Sequence, residues 1–210
     1  MVNALRAVSD NLKELNLGTY VSQDPFGQGV SLEMTRLTTL RIRDWDWARY
    51  LRAPAIEQLA LGNAYSPDGD SFDDIVCPFV TTYHLALFAS CGVVEAQALT
   101  KLINITTLEI CAPTWADGDS FGTLSDGFFS TAVNSETPVW PKLKHIHFAT
   151  GFDSLAPVSD TGLVTFLRSR NEKPAIDLEG TSVSRIETVK LGYKAPEWLI
   201  QETERLTALH

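Results

Sequence analysis

The sequence predicts one α/β domain over residues 1–210, a curved, horseshoe-shaped solenoid with parallel strands on the concave face and helices or loops on the convex face. Three observations favour this class. A short apolar phrase recurs about seven times, its first copies are almost evenly spaced, and a chain with 44% hydrophobic and 20% charged residues is expected to fold. We therefore expect about seven irregular repeats that share one core.

The recurring phrase is an apolar residue, two variable residues, an apolar residue, one variable residue and a last apolar residue. Its copies start at Leu12, Leu37, Ile56, Ile105, Leu143 and Ile186, with a weaker copy at Thr82. The last two apolar positions alternate as in a strand with one buried face, and the first marks the turn into that strand. The first five starts lie 19 to 26 residues apart, within the roughly 20–29-residue period of leucine-rich repeats. Repeats of this kind usually form binding surfaces.

Helical segments are expected between and after the strands. Ser31 to Arg36 is consistent with a short helical turn, and Asp160 is a candidate N-cap for a helix over Thr161 to Ser169. A last helix is predicted from Pro196 to about Leu209. Its apolar residues would cover the final repeat, as terminal repeats require: Trp198, Leu199, Leu206 and Leu209.

The first repeat has no comparable cover, because eleven residues precede its phrase. An open solenoid end exposes an apolar layer and a sheet edge. Three explanations stay open: the chain is the tail of a longer protein, Val2 to Asn11 forms a minimal cap, or two copies pair through this repeat. The expected state is accordingly a monomer, or a dimer through the uncapped N-terminal repeat.

The negative charge is concentrated in the middle of the chain. Residues 61–160 hold three lysines and twelve acids, which equals the whole formal net charge of −9. This distribution disfavours nucleic acid, whose phosphates attract a basic surface. It is consistent with a basic protein partner, or simply with solubility.

The composition also indicates a compartment. The sequence contains no apolar run near the roughly 18 residues that a membrane span needs, and no signal peptide pattern. Three widely spaced cysteines, without a Cys-x-x-Cys motif, favour reduced thiols. We expect an intracellular protein, cytoplasmic or nuclear, that acts without a membrane partner.

Two identical acidic stretches lie 49 residues apart, Asp68-Gly-Asp70-Ser-Phe72 and Asp117-Gly-Asp119-Ser-Phe121. Each follows its repeat phrase at the same distance, so both are expected on one rim of the solenoid. Asp68, Asp70, Asp117 and Asp119 then form an acidic lip for a basic partner. The alternative is ordinary Asp-Gly turn chemistry with helix capping. Neither stretch has the spacing of a calcium loop.

The variable positions of the strands define the candidate binding surface on the concave face. The residues that we select there are Arg41, Arg43, His84, Glu109, His145, His147 and Lys190. Trp45 and Trp47 are rim candidates because tryptophan beside arginine is typical of binding hot spots; the alternative, which a tryptophan in a repeat protein favours, is that both pack under the convex side. His145 and His147 share a strand face that is able to bind zinc with a third ligand from Glu109 or Cys111. Two histidines are a weak signal, and we expect no metal or other cofactor.

No pattern indicates catalysis. The sequence has no glycine-rich phosphate loop, no His-Glu-x-x-His and no Gly-x-Ser-x-Gly. We therefore do not expect an enzyme.

Three stretches resemble the leucine-rich-repeat portions of F-box-type proteins from mushroom-forming fungi: Pro54 to Leu61, Cys77 to Leu87, and Val139 to Phe148. The resemblance covers about residues 12–195. It implies a protein–protein interaction module, the substrate-recognition part of an F-box-like ubiquitin-ligase receptor. The adaptor-docking F-box itself has no counterpart in this sequence, so a stand-alone protein that binds peptides or glycans is the alternative.

Overall fold

The computed structural model describes residues 2–18, 31–42, 50–61, 81–86, 102–111, 126–134, 138–149, 160–172, 183–192 and 195–208. The elements are α1 (Val2–Val8), β1 (Glu14–Leu17), β2 (Leu32–Glu33), β3 (Thr39–Ile42), β4 (Leu51–Arg52), β5 (Gln58–Leu61), β6 (Thr82–Ala86), β7 (Thr107–Cys111), α2 (Asp126–Asn134), β8 (His145–Phe148), α3 (Asp160–Asn171), β9 (Thr188–Lys190) and α4 (Glu197–Thr207).

Seven of these strands form one parallel sheet in the order β1-β3-β5-β6-β7-β8-β9. Each strand therefore lies beside the strands of this sheet that come before and after it along the chain. Strands β2 and β4 make a second, two-residue parallel pairing. Parallel neighbours require a crossover segment between them.

A repeated backbone hydrogen bond fixes the register of the large sheet. The carbonyl oxygen of Lys13 accepts from the N–H groups of Thr38 and Thr39 at 2.9 and 3.0 Å. At each later pair of neighbouring strands, one carbonyl again accepts hydrogen bonds from two successive N–H groups of the next strand. These carbonyls belong to Thr38, Glu57, Thr81, Thr106 and Lys144. Because a slip by one residue would break this ladder and turn the apolar set outward, the register is strongly specified.

The turn before four of the strands is also repeated. The N–H of Leu37 donates to the carbonyl of Met34 at 3.3 Å, three residues earlier. Equivalent turns join Ile56 to Ala53, Ile105 to Leu102 and Leu143 to Trp140. The residue at this earlier position is buried in each case. The recurring phrase therefore spans nine residues in these four repeats, because the three residues of the turn precede the six-residue phrase.

The inward residues of the strands and three helices share one hydrophobic core. Helix α2 packs on α3, and α3 packs on α4, which also contacts β9. Four fully buried aromatic rings fill the junction between α2, α3 and the turn before β8, with neighbouring centroids 5.2 to 6.2 Å apart: Phe128, Phe129, Trp140 and Phe166. Helix α1 adds Leu5 to the same core.

The interpretation of Ser31 to Arg36 as a helical turn is wrong. Leu32 and Glu33 form β2 and pair with Leu51 and Arg52 of β4. The N–H of Met34 then donates to the carbonyl of Arg52 at 2.8 Å. A parallel partner on the next repeat thus provides hydrogen bonds that outweigh a local helical turn.

The fourth copy of the phrase starts two residues earlier than the sequence predicted. Thr82 pairs with Gln58 and Thr107, and Tyr83 lies opposite Leu59 and Leu108. Tyr83 and Leu85 therefore hold the two strand positions that were assigned to Leu85 and Leu87. A shift of two residues keeps the same residues on each face of the strand, but it moves His84 from one row of the sheet to the next.

The last two helices differ in detail from their predicted limits. Asp160 is the first residue of α3 rather than its cap, and α4 begins at Glu197 with Pro196 as its N-cap. Leu199 and Leu206 are fully buried, but Trp198, expected to cover the last repeat, is 47% exposed. Leu209 lies outside the described residues.

Candidate functional site

The side of the large sheet opposite the core carries alternate residues of seven strands. In β1, Leu15 and Leu17 are buried while Glu14 and Asn16 are exposed. In β8, Ile146 and Phe148 are buried, whereas His145 and His147 are partly exposed. This alternation is typical of a strand with one face on the core. We call the non-core side the exposed strand face.

In-register pairing aligns the residues of the exposed strand face into two rows across the sheet. The first row contains Glu14, Thr39, Gln58, Thr82, Thr107, His145 and Thr188. The second row contains Asn16, Arg41, Ala60, His84, Glu109, His147 and Lys190. Neighbouring members of a row are about 4.8 Å apart across the strands.

Five residues selected from the sequence fall in the second row: Arg41, His84, Glu109, His147 and Lys190. The last four occupy four successive strands, and His145 lies two residues from His147 in the first row. The predicted position of His84, level with His145, is wrong, because its partners are Ala60 and Glu109. For His84 the backbone position alone is described.

The remaining selected residues lie outside the described part of the chain: Arg43, Trp45, Trp47, Asp68, Asp70, Asp117 and Asp119. The acidic lip and the tryptophan rim therefore stay predictions. Cys111 ends β7, and its backbone pairs with Ala86.

An acid and an imidazole face each other near the middle of the second row. Glu109 Oε1 is 3.8 Å from His147 Nδ1, and the two side chains are 31% and 40% exposed. At this distance the contact is an ion pair only when His147 is protonated, and solvent weakens it. One strand further on, His145 Nδ1 and Thr188 Oγ1 form a 2.9 Å hydrogen bond whose direction depends on the histidine tautomer.

Beside the first row, Lys144 and Glu187 form an exposed salt bridge of 2.8 Å. The hydrogen bond from Lys144 lowers the pKa of the Glu187 carboxyl. Glu187 is thus already engaged, and Lys190 has no acidic partner within the described part of the chain. The β8–β9 end of the sheet consequently offers more hydrogen-bond donors than acceptors.

A separate polar network ties α3 to α4 away from the exposed strand face. Glu202 Oε1 accepts from Arg168 Nη2 at 2.6 Å and from Arg205 Nη2 at 2.9 Å, while Glu202 Oε2 accepts from Arg205 Nε at 2.8 Å. The hydrogen bonds from Arg205 and then from Arg168 lower the pKa of Glu202 to about 2. Arg205 also bridges to Glu172 at 2.9 Å. These bonds stabilise the contact between the two helices.

Helix α3 also carries a buried arginine, Arg170, that sequence reasoning missed. Arg170 Nη2 donates to the carbonyls of Val139 and Trp140 at 2.5 and 2.7 Å, and its guanidinium carbon lies over the Phe166 ring, 5.2 Å from the centroid. Burial lowers the pKa of Arg170 to about 10, so it stays charged at neutral pH. Trp140 has a φ of 51°, an uncommon value for a bulky residue. No sequence signal identified this contact, since it joins residues thirty positions apart.

Sequence reasoning also did not select the threonines of the first row. Thr39, Thr82, Thr107 and Thr188 occupy the same level of four strands. A signal for them was present, because each stands directly before an inward residue of its strand. With His145 they add a line of hydroxyl and imidazole groups next to the charged second row.

Comparison with known proteins gives no relative: no family model, characterised protein or solved structure matches the chain. In the described ranges, no helix combines the length and apolarity needed to cross a membrane. Within the same residues, no group of three or more His, Cys, Asp or Glu side chains is arranged to hold a metal ion.

Proposed function

We propose that the chain is a leucine-rich-repeat-type solenoid that acts as a protein–protein interaction module through its exposed strand face. One observation carries the proposal. The inward positions of the large sheet repeat an apolar residue, while the second outward row changes chemistry from strand to strand. A scaffold needs the first pattern, and recognition of a particular partner needs the second.

The two ends of the second row support a charge-guided contact. Arg41 and Lys190 are exposed on β3 and β9, and four strands of the sheet lie between them. Ala60 leaves a small side chain between them. A partner that spans the sheet would meet a cation near each end and the Glu109–His147 pair in between.

The experiment compares partner capture by the wild type and by two charge-reversed variants. The face variant carries Arg41→Glu and Lys190→Glu. The matched control carries Arg6→Glu and Arg36→Glu, which are exposed on α1 and on the turn before β3 and change the net charge equally. Circular dichroism and urea unfolding establish that both variants are folded.

Captured proteins are identified by mass spectrometry from lysate of the source organism. The proposal expects partners that the wild type and the control retain and that the face variant loses. Partners that all three proteins retain would move the binding surface away from the exposed strand face. Loss in both variants would indicate non-specific charge attraction instead.

The ligase link is a finer proposal that rests on the resemblance of residues 12–195 to F-box-type repeats. It expects a Skp-type adaptor in the complexes formed by the native gene product. A native product that binds its partner without any adaptor would favour the stand-alone binding protein. An intracellular location belongs to the same proposal, and fractionation of the source cells tests it.

A further inference from the structure

The β8–β9 end of the exposed strand face holds four donor side chains around one small area. His145 is the register partner of Thr188, and His147 is the register partner of Lys190. Adjacent strands are about 4.8 Å apart, and alternate residues along a strand are about 6.6 Å apart. The four residues therefore border a patch of roughly 5 by 7 Å, which we call the His–Lys cluster.

We infer that the His–Lys cluster binds a carboxylate of an acidic peptide segment on the partner protein, with affinity that rises as the pH falls. This inference rests on the proposed interaction role of the same face and adds the chemical class of the partner. It commits to aspartate or glutamate side chains rather than to a phosphate group. Two properties of the cluster favour a carboxylate: the hydrogen-bond donors that its side chains present, and the net charge of the residues in and around it.

All four members present groups that donate hydrogen bonds to oxygen. Lys190 contributes an ammonium, Thr188 a hydroxyl and the two imidazoles N–H groups. One donor of the four residues is used in the 2.9 Å hydrogen bond between His145 Nδ1 and Thr188 Oγ1, and the others are directed to the ligand. Nearby acids are either engaged, as Glu187 is with Lys144 at 2.8 Å, or directed at His147, as Glu109 is at 3.8 Å. A carboxylate oxygen is an acceptor that satisfies several of these donors together.

The fixed charge of the patch favours one negative charge over two. Lys190 supplies the ammonium charge of the cluster, and Glu109 lies two strands away from it, with His147 between them. A single carboxylate balances Lys190, whereas a dianionic phosphate would leave excess negative charge beside Glu109. Like charges in such proximity oppose binding.

The dependence on pH follows from the groups that surround the imidazoles. His145 and His147 face Thr107 and Glu109 on β7, and Thr188 and Lys190 on β9, with Lys144 and Glu187 at the adjacent level. Imidazole changes charge between about pH 5 and 8. Protonation adds positive charge next to the bound carboxylate, so binding strengthens as the pH is lowered through this range.

The test is a fluorescence anisotropy titration with two labelled peptides of equal length, one with alternating Glu and Ser and one with alternating Lys and Ser. It is carried out at about pH 7.5 and about pH 5.5 at constant ionic strength. We expect the Glu peptide to bind and to lose affinity for the Lys190→Gln protein, whereas any binding of the Lys peptide belongs to the predicted acidic lip and should not change in that variant. The dissociation constant for the Glu peptide should fall about three- to tenfold at the lower pH.

Two variants assign the effect to the cluster. His145→Gln with His147→Gln keeps side-chain donors but should remove the dependence on pH, and Lys190→Gln should weaken binding about three- to fivefold at both values. Arg6→Gln, at an exposed position of α1 and outside the exposed strand face, is the matched control and should leave the affinity within twofold. Each variant is first compared with the wild type in urea unfolding.

Three outcomes overturn the inference: no binding of the Glu peptide, equal binding by the Lys190→Gln protein, or a pH dependence that survives the double histidine substitution. Tighter binding of a phosphoserine peptide than of the Glu peptide would also overturn the choice of carboxylate. A failure here is distinguishable from failure of the interaction role itself. If only the carboxylate inference fails, the face variant still loses captured partners. If the interaction role of the exposed strand face fails, the face variant keeps them.

Discussion

Asn171 holds Ile186 by both of its backbone polar groups. The side-chain Oδ1 of Asn171 accepts from the N–H of Ile186 at 2.9 Å, and its Nδ2 donates to the carbonyl of Ile186 at 2.9 Å. In four earlier repeats the equivalent N–H bonds to a carbonyl three residues before it, as Leu143 does to Trp140. A side chain at the end of α3 thus replaces the repeated turn in the last copy of the phrase.

We expect Asn171→Ala to lower the free energy of unfolding by about 2–4 kcal/mol. The substitution leaves the polar groups of Ile186 buried without partners, and it also removes the 2.9 Å bond from Asn171 to the carbonyl of Leu206. Urea unfolding measures the loss. Asn16→Ala, at an exposed asparagine of β1, should change stability by no more than about 0.5 kcal/mol. Equal effects of the two substitutions would contradict this role of Asn171.

The buried Arg170 is expected to tolerate lysine poorly. Lysine has no planar fork to reach the carbonyls of both Val139 and Trp140, and it does not stack in the same way on Phe166. We expect Arg170→Lys to cost about 2–4 kcal/mol of unfolding free energy because a buried charge loses hydrogen bonds.

Arg168→Lys provides the matched control two residues away. Its side chain is half-exposed and bonds to Glu202, so the same chemical change should cost about 0.5 kcal/mol or less. The measurement is the urea midpoint of each variant at an unchanged denaturant slope. If Arg170→Lys were as mild as Arg168→Lys, the two carbonyl bonds would not be important for stability.

The strands of the large sheet were accessible to sequence reasoning, because alternation of apolar residues depends on local order along the chain. The frame of the fourth copy was not. Leu85 and Leu87 fit the phrase as well as Tyr83 and Leu85 do, and both frames put the same residues outward. The pairing of Thr82 with Gln58 and Thr107 decides between them, and pairing is a long-range property.

The residues of the candidate site also divide into those that local sequence order predicts and those that depend on long-range contacts. The identity of His145, His147 and Lys190 as outward residues was readable from alternation within β8 and β9. The placement of His84 beside Glu109 depended on the frame, and the contact of Arg170 with Trp140 depended on helix packing. Neither feature is associated with a periodic pattern in the sequence, so the structure was needed to identify both.

Acid is expected to weaken the α3–α4 contact through Glu202. Its pKa is lowered from 4.5 to about 2 in the folded chain by the hydrogen bonds from Arg205 and Arg168. A depressed carboxyl pKa contributes stability that is fully present above about pH 4.5 and is lost as the pH falls through about 2. Urea unfolding at about pH 6, 4 and 3 should therefore show a decline to which Glu202 contributes.

Glu202→Gln separates this contribution from general acid destabilisation. The variant should be less stable than the wild type at pH 6, and the difference should shrink towards pH 3. Glu204→Gln, on the exposed side of α4, should follow the pH profile of the wild type. A constant difference between wild type and Glu202→Gln across this range would show that the carboxylate charge is not involved.

The nine-residue phrase, which includes the turn before the strand, is tested by two isoleucines that lie two positions apart. Ile105 begins the strand phrase before β7 and is fully buried, whereas Ile103 lies in the preceding turn and is 55% exposed. Ile105→Ala should cost about 2–5 kcal/mol because it leaves a cavity in the shared core, while Ile103→Ala should cost about 0.5 kcal/mol or less. The two substitutions remove the same atoms, so the difference between their urea midpoints isolates burial. Similar costs at the two sites would mean that the turn joining Leu102 to Ile105 is packed differently, and the repeat frame would then have to be redrawn.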